Sequence, residues 1–243
     1  MISLVSYIRS FLMAIIYPVF LLGMSLLTIC LNFIFHQRRI DDAMISLWGR
    51  ISCRLFGVRV HVKGLENIPL NKGCLFLFNH TSFFDIFSMI GFLPGVRFGA
   101  KIELFKIPLF GYAMRRVGVL PIDRANREEV FKVYESAKQR LINGERFALA
   151  PEGTRQETEA LGEFKSGPFI FAISAQALIV PVVIRGASAI LPKHSLLPNA
   201  QVWTRDIHIQ VLPPVDATQF SIDNKDVLQD RIHLVMSEHL AGI

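Results

Sequence analysis

The sequence predicts an α/β fold: a mainly parallel sheet flanked by helices, preceded by an N-terminal membrane-embedded helical element. Three observations lead there. Apolar runs of strand length occur near residues 58–62, 74–78, 96–100, 117–122, 146–150, 178–184 and 207–212. Helical patterns lie between several of them, and that alternation yields parallel strands joined by crossovers. Ahead of both, no charged residue occurs from Ser10 to Phe35. At 243 residues, 51% hydrophobic and only 19% charged, the chain can build one domain with a real core and is greasy for a soluble protein.

The uncharged run would extend about 39 Å as one helix, more than the roughly 30 Å of a bilayer's hydrocarbon. It is too long for a signal peptide and has no small-x-small cleavage site. Ile29 stands where a lipoprotein cleavage box would need a small residue. Pro18 and Gly23 leave two arrangements open: a single tilted span, or a broken helix that enters and leaves by one leaflet. Arg9 and the amino terminus precede the run, while Arg38, Arg39, Arg50, Arg54 and Arg59 follow it. The positive-inside rule therefore puts the rest of the chain on the cytoplasmic face, at the inner membrane if the source is bacterial.

Residues 41–57 form an amphipathic pattern in which Met44, Leu47, Ile51 and Leu55 share a face, with Arg50 and Arg54 opposite. This suits an interfacial helix and an ordinary surface helix equally. The division is thus 1–57 for membrane-embedded and interfacial helices, and 58–243 for the α/β domain. A net charge of +6 favours anionic lipid as a neighbour. No basic block interleaved with aromatics is present, which argues against nucleic acid. Cys30, Cys53 and Cys74 are scattered in apolar contexts, so neither a disulfide nor a metal site is expected.

Within the domain, Val130, Val133, Tyr134, Ala137 and Leu141 mark one face of a helix over 127–143, and Gly144 supplies its stop. Further helices are expected over 169–177 and 227–240. Pro181, inside the run 178–184, argues for an edge or bulged strand.

The chemistry concentrates after the strand-like run Cys74–Phe78. Residues 79–85 read Asn-His-Thr-Ser-Phe-Phe-Asp, placing His80 at the carboxyl end of a strand, where open α/β sheets keep their sites. On a continuous helix His80 and Asp85 would sit about 140° apart. They can meet only if His80 lies in the turn and Asp85 in the first helical turn, an arrangement that Ser82-x-x-Asp85 favours as a capping box. A histidine held by a carboxylate is a general base for an alcohol. By itself the spacing favours a structural reading, with Asp85 complementing the helix N-terminus and Asn79 forming the turn. Lys101 and Arg124 follow further strand-like runs, and either could bind a phosphate or be a solvated strand-end charge. Pro151-Glu-Gly-Thr-Arg155 follows another: Gly153 permits close backbone approach, Thr154 offers a hydroxyl and Arg155 is a second anion clamp. Glu152 could hold Arg155 or accept from a substrate hydroxyl.

Together, NHTSFFD, KIELFKIPLFGYAMRRVGVLPIDR, PEGTR and the Val-Pro-Val region occur in that order between about residues 60 and 185. In this the chain resembles the 1-acylglycerol-3-phosphate (lysophosphatidate) O-acyltransferase family. The resemblance implies His80 as base and Asp85 as its orienting partner. It also implies Arg124, Glu152, Gly153 and Arg155 at the acceptor's glycerol phosphate, with Lys101 in a lesser part; the Thr154 hydroxyl joins this substrate-binding set from the reading of the loop itself. Ala150 and Gln156 depart from the usual Phe and Ser around PEGTR.

The reaction so implied is direct transfer of a fatty acyl chain from an acyl thioester, on coenzyme A or acyl carrier protein, to the free hydroxyl of a lysophospholipid at a bilayer. No cofactor or metal is expected, and backbone N–H groups after His80 are the expected oxyanion donors. The alternatives are an acyltransferase acting on glycerol-3-phosphate or another lysolipid, and a non-catalytic lipid-binding membrane protein. A serine hydrolase is disfavoured because no G-x-S-x-G elbow occurs.

Overall fold

The computed structural model describes residues 4–195, 198–199 and 204–241. Its first helix, α1 (Leu4–Phe35), runs unbroken through Pro18 and Gly23, so the broken-helix arrangement is not adopted. Pro18 removes one N–H from the ladder, and the remaining bonds of the 32-residue helix carry it through. The chain reverses at His36 and Gln37, and α2 (Arg38–Leu55) returns along α1. Asn32 Nδ2 donates to Asp41 Oδ1 at 2.8 Å, and the Tyr17 and Ser52 hydroxyls meet at 3.0 Å. α1 buries Ser10, Ser25 and Asn32 and exposes Phe11, Ile15, Val19, Leu22, Leu26 and Phe33. By length and composition alone, Tyr7–Phe35 could cross a membrane.

The buried face of α2 is rotated from the expected one. Met44, Gly49, Ser52 and Cys53 point inward, while Leu47 is exposed. Close backbone approach is the cause. A Cβ on Gly49 would come within 2.6 Å of the Gly91 nitrogen and the Phe87 oxygen of the next helix, so only glycine fits. Hydrophobic periodicity cannot reveal a contact made by the smallest residues.

The sheet contains β1 (Val58–Lys63), β2 (Cys74–Phe78), β3 (Val96–Lys101), β4 (Leu120–Ile122), β5 (Arg146–Leu149), β6 (Leu178–Arg185), β7 (Arg205–Val211) and β8 (Val215–Asp216). Their order is β1-β7-β6-β2-β5-β3-β4, with β8 also beside β6. The block β6-β2-β5-β3-β4 is parallel, while β7 and β8 run antiparallel to β6. β4 begins later than expected because Gly118, at φ 84°, turns the chain just before it. Pro181 is not at an edge, since β6 lies between β2 and the β7–β8 pair. Its carbonyl accepts from Leu212 N–H at 2.9 Å, where β7 ends and Pro213-Pro214 precede β8, so its missing donor faces an interrupted ladder.

Helices cover both faces. α2, α3 (Phe83–Phe92) and the short α7 (Ala187–Ile190) share one apolar core with Phe76, Phe78 and Val180. On the other face α5 (Arg127–Ile142), α6 (Gly167–Ser174) and α8 (Lys225–Ala241) pack over Leu75, Phe147 and Ile179. α4 (Phe110–Arg116), which periodicity did not reveal, packs against α1. The β2 crossover enters the first layer at α3, and the chain after β5 enters the second at α6. Neighbouring strands thus diverge at their carboxyl ends, and a crevice opens there.

Candidate active site

β2 ends at Phe78, and Asn79 extends it by mimicry of a strand. Its Nδ2 donates to Ile184 O at 2.8 Å and its Oδ1 accepts from Ile184 N–H at 2.7 Å. That clamp fixes the chain just before His80, in a residue the sequence reading took for a turn former. Ser82 is the N-cap of α3: its Oγ accepts from Phe84 N–H at 3.2 Å, and Asp85 completes the capping box. His80 therefore lies in the turn and Asp85 in the first helical turn, as the spacing required.

His80 Nδ1 lies 2.9 Å from Asp85 Oδ2. The carboxylate can only accept, so Nδ1 carries the proton and Nε2 presents a bare lone pair. The same Oδ2 accepts Thr81 N–H at 2.7 Å and Ser82 N–H at 2.8 Å. Capping and orienting are thus done by one oxygen. Of the N–H groups after His80 expected to serve an oxyanion, those of Thr81 and Ser82 are committed to Asp85 and that of Phe84 to Ser82. The Phe78 ring meets the imidazole edge-on at 5.5 Å.

The Pro151–Arg155 loop grips His80 from the opposite side. Glu152, only 3% exposed, accepts His80 N–H on Oε1 at 2.9 Å and Gly162 N–H on Oε2 at 2.8 Å. Gln156 N–H donates to His80 O at 2.7 Å, so both faces of the His80 backbone are held. Burial raises the Glu152 pKa, with the two backbone N–H donors opposing. Glu152 is a strut for the His80 backbone, and its hydrogen-bond partners are these two N–H groups and not Arg155. Arg155 instead stacks its guanidinium over the Phe83 ring at 4.3 Å. Desolvation lowers the Arg155 pKa, and attraction from Asp85 opposes that.

A cavity of about 980 Å³ occupies the crevice, and His80, Lys101, Arg124, Glu152, Gly153, Thr154 and Arg155 all line it. Asp85 stands behind His80, fully buried. Arg124 follows β4; desolvation lowers its pKa, Glu103 pulls the other way, and Arg155 adds like-charge repulsion. Lys101 closes β3 with an exposed pair to Glu103 at 3.1 Å. Arg127, Lys165, Lys193 and Lys225 join the lining from loops and helix starts that no local pattern singled out. Seven cations line the cavity against Glu152, Glu163 and Asp226, an excess of positive charge that suits an anion. Phe78, Phe98, Ile86, Phe131, Leu149 and Phe164 supply apolar wall on either side.

Ser82 Oγ donates to Leu191 O at 2.9 Å, which removes it as a nucleophile beside His80. Burial pushes the Cys53 and Cys74 thiols up to about 12, so neither supplies a thiolate at neutral pH. No cluster suited to a metal ion occurs among the described residues.

Residues 59–185 match the family model described as Acyltransferase. The chain is 30% identical over 161 residues to the chloroplastic 1-acyl-sn-glycerol-3-phosphate acyltransferase of Arabidopsis thaliana, covering 66% of this chain and 45% of that protein. It is 31% identical over 180 residues to the human alpha enzyme of the same name, covering 73% and 62%. It is 34% identical over 181 residues to a probable enzyme of that name from Mycoplasma pneumoniae, covering 70% and 67%. The chain thus spans about half the length of the plant relative. The crystal structure of the 1-acyl-sn-glycerophosphate (LPA) acyltransferase PlsC from Thermotoga maritima superposes with a TM-score of 0.82 at 25% identity, over 97% of this chain and 96% of that one.

Proposed function

The chain belongs to the acyltransferase family, and from that premise we propose that it converts 1-acyl-glycerol-3-phosphate (lysophosphatidate) to phosphatidate, taking a fatty acyl chain from an acyl thioester. One observation carries this reading: a bare imidazole Nε2, fixed through Nδ1–H to a buried carboxylate, faces a cavity walled by cations.

In the proposed step His80 Nε2 takes the proton from the free hydroxyl as its oxygen attacks the thioester carbonyl. The tetrahedral adduct collapses, the C–S bond breaks, and the imidazolium returns its proton to the departing thiolate. Asp85 holds the ring in the Nδ1–H tautomer and stabilises the imidazolium while it lasts. Arg155, held flat on Phe83, and Arg124 across the cavity clamp the acceptor's phosphate, with Lys101 at the rim and Thr154 and Gly153 shaping the loop. With Ser82 engaged elsewhere, no acyl-enzyme forms.

The outward face of α1 is proposed to lie in a bilayer. Docking of α1 along the domain, through Tyr17 to Ser52 and through Asn32 to Asp41, favours insertion in one leaflet on the domain's own side.

The test is phosphatidate formation from lysophosphatidate with acyl-coenzyme A or acyl carrier protein as donor, for wild type beside His80→Ala. Product from wild type alone is expected, because truncation removes the base and leaves the backbone clamps. Equal turnover by both would overturn the base assignment. Transfer to glycerol-3-phosphate but not to lysophosphatidate would change the acceptor.

A further inference from the structure

The segment 102–116 connects the cavity to α1, yet its outer surface takes no part in either. Lys101 and Leu104 line the cavity at one end, and at the other Arg116 Nε donates to Asn32 of α1 at 2.8 Å. Between them Ile107 is 40% exposed, Leu109 43% and Tyr112 53%. Three large apolar side chains thus lie exposed within six residues, a local cluster that suits an interaction site.

Leu109 is held there against its backbone preference. It has φ 59° and ψ −53°, and Phe110 N–H bonds back to Pro108 O at 2.6 Å. This is a γ-turn of the rare positive-φ form, which a branched side chain disfavours. A merely solvated turn would carry Gly or Asn. Strain kept at an exposed apolar residue points to a contact outside the domain. The flanks are cationic: Lys106, Arg115 and Arg116 are exposed, and Arg115 stacks on the Phe105 ring at 5.0 Å. An apolar crest between basic flanks is complementary to anionic lipid.

We propose that the crest of Ile107, Leu109 and Tyr112 is a second membrane-contact element, which seats the cavity mouth against the bilayer and lets the acceptor enter without crossing water. This rests on the reading of α1 as membrane-inserted, and the experiment separates the two. A polarity-sensitive dye is attached to Ile107→Cys or, as control, to Glu135→Cys on α5, both in a Cys30→Ser background. Each protein is floated with vesicles of phosphatidylcholine and phosphatidylglycerol. Flotation with a blue shift at position 107 and none at 135 is expected. Flotation without a shift at 107 overturns the crest and leaves the α1 reading intact, while failure to float overturns the α1 reading itself. A shift produced by acyl carrier protein instead of vesicles would make the crest a protein-docking surface and also overturn the proposal.

Leu109→Gly supplies the functional arm, since Gly adopts φ 59°, ψ −53° without a side-chain clash and the turn keeps its shape. Turnover of long-chain lysophosphatidate in vesicles should fall about tenfold, the scale of one lost leucine burial. Turnover of a short-chain, water-soluble acceptor should stay unchanged. Equal loss on both acceptors would overturn the proposal.

Discussion

Replacing Glu152 by Gln removes one acceptor from a group that needs two. The carboxylate receives His80 N–H at 2.9 Å and Gly162 N–H at 2.8 Å, both in a buried setting. An amide can satisfy only one of them and must turn its NH₂ toward the other. Losing a hydrogen bond to a charged group costs about 1.5–3 kcal/mol. Felt wholly at His80, that is on the order of tenfold to a hundredfold in kcat. Because Gln156 still donates to His80 O at 2.7 Å, the lower end is expected. KM for lysophosphatidate should barely change, as both oxygens of Glu152 are engaged by backbone N–H groups that position the base. Global stability follows a different course. The folded pKa of Glu152 is raised, so its contribution is fully present below the unfolded value of about 4.3 and is lost as pH rises through the folded one. Thermal melts should therefore shift in favour of the Gln variant between those values. Steady-state kinetics and melts on the same samples decide the matter. An intact kcat with a raised acceptor KM would refute the strut and restore Glu152 as a substrate ligand.

Two further predictions concern other contacts. Arg155→Lys loses the stack on Phe83 and any two-pronged grip on phosphate, so the acceptor KM should rise about tenfold while the thioester KM holds; equal rises in both would remove the clamp. Gly49→Ala drives a Cβ to 2.6 Å from backbone atoms of Gly91 and Phe87, a clash of about 1–3 kcal/mol. It should lower Tm by several degrees in a calorimetric scan, and an unchanged Tm would contradict the close α2–α3 contact.

The parts legible in the sequence are those carried by local pattern. The strand to Phe78, the Ser82 cap and the meeting of His80 with Asp85 follow from a few adjacent residues, as does the amphipathic α5. What escaped depends on packing across distance. The inward face of α2 is set by Gly49 against Gly91, and hydropathy gives glycine no weight. α4 is 7 residues long, and Gly111 sits where a Cβ would come 2.2 Å from Phe105 O, so no period could announce it. Lys193 and Lys225 reach the cavity from elements far along the chain. The part of Glu152 was missed because its partners are backbone groups, which no side-chain motif names.

The backbone contact between α2 and α3 has a consequence for selectivity. α1 folds onto α2, α2 meets α3 glycine to glycine, and the first turn of α3 holds the base. At Gly49 and Gly91 the two backbones meet directly, with the Trp48 and Phe87 rings packed beside them. On the proposed seating in lipid, the imidazole stands at a set height above the acyl region, much as a fixed gauge stands above a table. On that seating, a hydroxyl would react only when its glycerol sits at that depth. A hydroxyl carried deeper or shallower than that would be rejected by elevation, before any side chain in the cavity had discriminated between acceptors.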